Sequence, residues 1–134
     1  MGEFGVTVGA GSLRSAAEEA VRLPHRWTDG GVTVEATFTG AHLFHLSVAG
    51  CVLNDVYREA KAAGIAVAGV RVHASGTFKS DTWASSGVEY SVELDADASA
   101  SDVSELVRRV DEVAEIPRAI RQGAPVRRTA WPSP

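Results

Sequence analysis

The fold is decided by residues 39–63, which read TGAHLFHLSVAGCVLNDVYREAKAA. The first half of this stretch leaves almost no polar face, and a helix that is apolar all round is buried all round. Charged residues gather only near its end, at Arg58, Glu59 and Lys61, and Gly64 is a suitable C-cap. We therefore predict a long central helix over residues 39–63, with a buried first half and a solvent-exposed end.

The length of the chain limits what can cover this helix. At 134 residues the chain can bury one hydrophobic core but not two. One such chain can hardly surround a helix that is apolar on every side, so we expect a second subunit to cover part of it. The sequence therefore predicts one domain over residues 1–134 that forms a homodimer.

Segments that alternate between apolar and polar residues flank the central helix and favour strands. They are residues 4–8, 20–27, 32–38, 65–78 and 88–94. Residues 12–22 are compatible with either a helix or the start of the second strand, because alanine and glutamate favour helix there. The turn signals at residues 9–11 and 29–31 suggest antiparallel pairing.

The C-terminal third favours a second, amphipathic helix. Ser99 or Ser101 is its N-cap, and Pro117 is expected to interrupt it. We expect a last edge strand at residues 125–126 and a loose tail at residues 129–134. The apolar stripe of the helix consists of Val103, Leu106, Val107, Val110 and Val113. Together these elements predict an α+β fold in which antiparallel sheets wrap around a long buried helix.

Composition excludes several classes of function. Hydrophobic residues make up 45% and charged residues 22%, as in ordinary globular proteins. The net charge of −4 argues against a nucleic-acid partner. No apolar stretch is long enough to span a membrane. The single cysteine, Cys51, excludes an internal disulfide, and we expect a cytoplasmic protein.

Residues 39–51, TGAHLFHLSVAGC, resemble the helix-opening motif of the OsmC/Ohr family, in which a Leu-Phe or Leu-Leu pair precedes Ala-Gly-Cys. The order of the predicted elements is also similar to that family, and the resemblance covers roughly residues 30–126. The resemblance implies a dimeric α+β fold and makes Cys51 the peroxide-reactive cysteine. It implies a thiol-dependent peroxidase that reduces organic hydroperoxides and needs no cofactor.

The same resemblance shows where this chain departs from the family pattern. The glutamate that orients an activating arginine would fall at Ala41, and the resolving cysteine would fall at Ile116. An external thiol would therefore have to complete the cycle. The activating arginine belongs to the N-terminal strands, where Arg14, Arg22 and Arg26 are the candidates. We select Arg14 and Arg26 as the partners of Cys51.

Helical spacing indicates which side chains share the face of Cys51. Phe44 and Ser47 precede it on that face, and Asp55 and Arg58 follow it. The charge of Asp55 would raise the pKa of the thiol, and Arg58 is expected either to pair with Asp55 or to reach water. We expect the substrate to contact four side chains, namely Phe44, Ser47, His45 and Trp27.

Two histidine-containing groups were weighed as alternative sites. His42 and His45 could share a helix face around a metal, and His25, His73 or Asp55 could approach them in the folded chain. No third ligand stands out, so we expect no metal. The run His25-Arg26-Trp27 joins a base, a cation and an aromatic wall, although an ordinary strand is the simpler interpretation. The alternative to a peroxidase is a protein that binds or converts another small molecule in the dimer pocket.

Overall fold

The computed structural model describes residues 3–131, and the elements below are those of this part of the chain. In chain order they are β1 (Val6–Gly11), β2 (Val21–Leu23), β3 (Val32–Glu35), α1 (Gly40–Ala63), β4 (Val67–Phe78), β5 (Ser85–Ala96), α2 (Ala100–Val113) and α3 (Glu115–Gln122). The strands form one antiparallel sheet in the order β2-β3-β1-β4-β5. The predicted α+β class is confirmed, with one sheet rather than several.

The central helix α1 begins and ends as its caps predict. Thr39 is the N-cap and accepts a hydrogen bond from the His42 N–H at 3.1 Å. Gly64 is the C-cap with φ of 72°, a conformation that glycine adopts without strain. The predicted helix over residues 39–63 is therefore confirmed to within one residue.

The burial of α1 differs from the prediction. Its fully buried residues lie mainly between Val48 and Ala60, whereas Leu43 is 36% exposed and Ser47 is exposed. The physical reason is that the sheet covers only one side of the helix. Leu43, Ser47 and Asn54 follow one another along the uncovered side, and a Cβ added at Gly50 would meet no atom within 4 Å.

The hydrophobic core lies between α1 and the inner face of β1 and β4. Val8 pairs with Val72 across these strands, and such alternate residues point toward the helix. Fully burying one valine or leucine contributes roughly 1.5–3 kcal/mol. The core residues of α1, β1 and β4 are Val6, Val8, Ala10, Val48, Ala49, Val52, Leu53, Val56, Tyr57, Ala60, Val70, Val72 and Ala74, and Leu106 and Val110 of α2 join them.

The N-terminal strands differ from their predicted bounds. The first strand continues through Gly9 and Gly11, which the sequence suggested were a turn. A Cβ at Gly9 would lie 2.4 Å from the Leu13 carbonyl oxygen, and one at Gly11 would lie 2.1 Å from that of Ala68. These glycines therefore permit close backbone approach within a strand. The second and third strands are shorter than expected, and residues 12–20 form neither helix nor strand.

The C-terminal third contains two helices. Ser99 is the N-cap of α2 and accepts from the Asp102 N–H at 3.1 Å. Pro117 lies in the first turn of α3, where its missing N–H is tolerated, so it starts a new helix instead of interrupting one. The prediction of a strand at residues 125–126 is wrong. Val126 is 97% exposed and pairs with no strand of the described residues.

Residues 124–130 lie outside any regular element. The predicted tail at residues 129–134 lies partly outside the described residues, since the description ends at residue 131. Over residues 3–131, no helix combines the length and apolar composition that crossing a membrane requires.

Candidate functional site

Cys51 lies in the middle of α1 and is 8% exposed. Asp55 follows it by one helical turn, and Glu115 reaches the same place from the start of α3. The Cys51 sulfur and one carboxylate oxygen from each acid all lie within 4.8 Å of one another. The thiol therefore lies where two helices meet, beside two carboxylates.

The start of α3 faces this thiol. Its N-cap, Ala114, offers no side-chain hydrogen bond to the first turn. The backbone N–H groups of Ile116 and Glu115 instead face Cys51, where they lower the pKa of its thiol. The resemblance assigned the resolving cysteine to Ile116, and the structure brings that position against Cys51.

The electrostatic surroundings of Cys51 favour the neutral thiol within this chain. Burial is the largest influence and raises the pKa of Cys51, because a thiolate loses hydration there. The N–H group of Ile116 lowers the pKa, whereas the charges of Asp55 and Glu115 raise it. Burial and the carboxylates outweigh the helix N-terminus, so the pKa of Cys51 is higher than that of a free thiol.

Asp55 is a buried carboxylate with one ion pair. It is 3% exposed, and its Oδ2 atom lies 3.1 Å from Nη2 of Arg58, as the sequence predicted. Apart from Arg58, no described residue donates a hydrogen bond to this oxygen. Burial raises the pKa of Asp55, and the charge of Arg58 opposes this effect.

The N-terminal arginines occupy other surroundings. Arg14 packs against Gly30, and its charge lowers the pKa of Tyr57, which burial raises. Arg22 donates to the Gly30 carbonyl oxygen at 3.1 Å. The guanidinium of Arg26 lies 5.6 Å from the ring centre of Trp27. The charges that act on Cys51 are those of Asp55 and Glu115.

Arg26 nevertheless lines the same cavity as Asp55, which follows Cys51 by one helical turn. This cavity of about 320 Å³ is lined by Pro24, His25, Arg26, Trp27, Asn54, Asp55 and Arg58. The structure thus gathers the run His25-Arg26-Trp27 beside α1, although the run follows β2 in a loop and is not within a strand. Both ring nitrogens of His25 are engaged at 2.8 Å, one with Thr28 and one with Asn54, so His25 fastens the loop to α1.

The four predicted substrate contacts lie in different environments. Ser47 is exposed and donates to the Phe44 carbonyl oxygen at 2.6 Å. Trp27 is half-buried and lines the cavity described above. His45 is fully buried, and its Nδ1 atom lies 2.7 Å from the Ala41 carbonyl oxygen. The rings of Phe4, Phe44 and Phe78 surround it, so in this arrangement it offers no surface to a ligand.

A second cavity lies next to Val48 and Pro117, and it was not predicted from the sequence. It has a volume of about 230 Å³, and Val48 and Pro117 bring it next to the Cys51 region. Its remaining lining residues are Gly87, Val88, Tyr90, Ile120 and Arg121. The cavity depends on the placement of α3 against α1 and β5, and Pro117 was the only residue of α3 that the sequence marked as a structural signal.

Comparison with known proteins identifies the family. The model of the family described as OsmC-like protein matches residues 31–128. The fold is similar to that of an OsmC-like hydroperoxide resistance protein from Jannaschia sp. CCS1, with a TM-score of 0.52 and 15% sequence identity over 96% of this chain and 95% of that chain. No curated protein matches the sequence. Because the family match spans most of the chain, this protein belongs to the OsmC-like family.

Proposed function

We propose that this protein is a thiol-dependent peroxidase that reduces organic hydroperoxides through Cys51. The observation that supports this proposal best is the position of Cys51, at the middle of α1 and against the first N–H groups of α3. Helix N-termini stabilise thiolates, and the thiolate is the form that attacks peroxides. The structural neighbour is named for hydroperoxide resistance, which agrees with this chemistry.

The proposed reaction begins with loss of the thiol proton to solvent. The Cys51 thiolate attacks the terminal oxygen of ROOH, the O–O bond breaks, and Cys51 becomes a sulfenic acid. The released alkoxide takes a proton from water and leaves as the alcohol ROH. The apolar cavity at Val48 and Pro117 would hold the hydrocarbon part of the substrate. Arg26, which shares a cavity with Asp55, is the better placed of the two proposed activating arginines.

An external thiol would complete the cycle. The sequence has one cysteine, so the sulfenic acid cannot form a disulfide within the chain. One thiol molecule condenses with it to a mixed disulfide and releases water, and a second thiol molecule restores Cys51. A reducing cytoplasm, which a single free cysteine suits, would supply that reductant.

Peroxide consumption tests this function directly. With cumene hydroperoxide and a small thiol, the wild-type protein is expected to consume peroxide catalytically, whereas Cys51→Ser is expected to match the rate without protein. Ser104→Ala, an exposed change on α2, serves as the matched control and should keep the wild-type rate. Intact mass should show oxygen addition at Cys51 when the thiol is omitted. An unmodified Cys51, or a Cys51→Ser protein as active as the wild type, would contradict the proposal.

A second candidate is a protein that binds or converts another small molecule. The observation that favours it is the pair of carboxylates beside Cys51, which act against thiolate formation. If this candidate is right, Cys51 should resist hydroperoxide while an apolar ligand still perturbs the Trp27 fluorescence. That combination is not expected of a peroxidase.

We also propose that the protein is a homodimer through the uncovered side of α1. Leu43, Ser47 and Gly50 lie on this side, and no other part of the described chain packs over Gly50. Large apolar side chains are also exposed at Phe38, just before α1, and on the edge strand β2, at Val21 and Leu23. A second copy of α1 or of the sheet edge would bury this surface.

Sedimentation at micromolar concentration should give about twice the monomer mass of 14.1 kDa. Ser47→Arg places a charge in the middle of the proposed interface and is expected to yield the monomer. Ser104→Arg, which adds the same charge on exposed α2, should leave the mass unchanged. A wild-type protein that sediments at 14.1 kDa would exclude the interface.

A further inference from the structure

We propose that Cys51, Asp55 and Glu115 bind a divalent metal ion of the zinc type. Their three donor atoms, one sulfur and two carboxylate oxygens, already lie within 4.8 Å of one another. The sequence led us to expect no metal because the search for ligands started from His42 and His45, with Asp55 considered only as a distant addition to them. The two carboxylates and the thiol converge only in the folded chain.

The three side chains are arranged as metal ligands often are. Cys51 and Asp55 are four residues apart on one face of α1, the spacing that lets two helical side chains hold one ion. Glu115 comes from a different element, so the ion would join α3 to α1. Zinc bonds of about 2.0–2.3 Å would draw the donors closer than 4.8 Å. Glu115 is exposed, so its side chain can make that movement.

Asp55 provides a second and independent indication of a cation. It is a carboxylate with 3% exposure, and the only partner of its buried Oδ2 atom among the described residues is the guanidinium of Arg58. Arg58 is its ion-pair partner at 3.1 Å, while Glu115 adds a like charge nearby. A buried carboxylate needs more than this to offset its lost hydration. A divalent ion between the carboxylates would supply the missing positive charge.

The donor set favours one class of metal. Thiolate sulfur binds zinc and related borderline-soft ions, whereas magnesium and calcium prefer oxygen ligands alone. Three protein ligands leave a fourth tetrahedral position for water. Asp55, one of the three ligands, also lines the cavity of about 320 Å³ together with Asn54. Arg58 would remain on Asp55 and orient the carboxylate toward the ion.

Metal binding can be measured without any peroxide. Equilibrium dialysis of the full-length, untagged protein against Zn²⁺ near neutral pH is expected to give one bound ion per chain. With Co²⁺ as the probe, a sulfur-to-cobalt charge-transfer band should appear in the near ultraviolet. Cys51→Ser should abolish this band. Glu115→Gln should weaken Zn²⁺ binding by at least about tenfold, because it removes one ligand.

Glu112→Gln is the matched control, since Glu112 is an exposed acid that pairs with Arg108 on α2. It should bind Zn²⁺ like the wild type. Failure of the wild type to bind Zn²⁺ at micromolar concentration would overturn the site, as would binding that survives both Cys51→Ser and Glu115→Gln. Zn²⁺ binding is measured without peroxide, and peroxide consumption is measured with a chelator because bound metal would mask the Cys51 thiol, so failure of the metal site can be told apart from failure of the proposed peroxidase.

Discussion

Removing the two carboxylates beside Cys51 is expected to speed its alkylation by roughly tenfold or more near neutral pH. The double change Asp55→Asn and Glu115→Gln keeps the size of both side chains and deletes both negative charges. Those charges raise the pKa of Cys51, and the thiolate is the form that reacts. Each unit by which the pKa falls gives about ten times more thiolate at a pH below it.

The pH dependence of alkylation shows in which direction the carboxylates shift the pKa of Cys51. In the wild type the alkylation rate should keep rising through the ordinary thiol range, because burial and the carboxylates raise the pKa of Cys51. In the double variant the whole profile should shift to lower pH. Iodoacetamide with a chelator present is the suitable reagent, since bound metal would mask the thiol. Glu112→Gln should leave the profile unchanged, and an unchanged double variant would show that the carboxylates do not act on Cys51.

The central helix could be predicted because its signals are local. Thr39 and Gly64 specify its two ends through contacts within one turn. The pairing of Asp55 with Arg58 was predicted for the same reason, since residues three apart share a helix face. Features of this kind depend on contacts between residues that are close in sequence, so they can be predicted without knowledge of the tertiary structure.

The exposure of α1 could not be predicted from its composition. An apolar side such as that of Leu43 indicates that something covers it, but not whether the cover belongs to the same chain. Gly9 and Gly11 were misassigned for a related reason. Their role depends on the approach of the Leu13 and Ala68 backbones, and glycine in a sequence predicts a turn as well as a crowded strand.

Only part of the surroundings of Cys51 could be predicted from the sequence. Asp55 was found through helical spacing, but Glu115 and the N–H of Ile116 reach the thiol from a helix that the sequence did not reveal. Pro117 was interpreted as an interruption, although proline is also common in the first turn of a helix. Interpreting Pro117 as a first-turn residue would have predicted that a helix starts here. The first N–H groups of that helix would then lie close to Ile116, the position of the family's resolving cysteine.

The substitution Gly76→Ala is expected to destabilise the protein by about 3 kcal/mol, at the upper end of what overpacking a core costs. A Cβ at Gly76 would lie 2.2 Å from the Gly87 carbonyl oxygen and 2.4 Å from Nε2 of His45. The first atom belongs to the backbone of β5. The second belongs to a fully buried ring held by Phe44 and Phe78, so neither neighbour can move aside easily.

Urea denaturation followed by far-ultraviolet circular dichroism would measure this loss. Gly40→Ala is the control, because a Cβ there would meet no atom within 4 Å, and its stability should stay within about 0.5 kcal/mol of the wild type. If Gly76→Ala were as stable as Gly40→Ala, β5 would have to yield at Gly87, and His45 would not be held as tightly as its aromatic neighbours indicate. A clear loss confined to Gly76→Ala would instead mean that the Gly87 carbonyl oxygen and the His45 ring leave no room for a side chain at Gly76, so that the close packing of β5 and α1 against β4 depends on a glycine there.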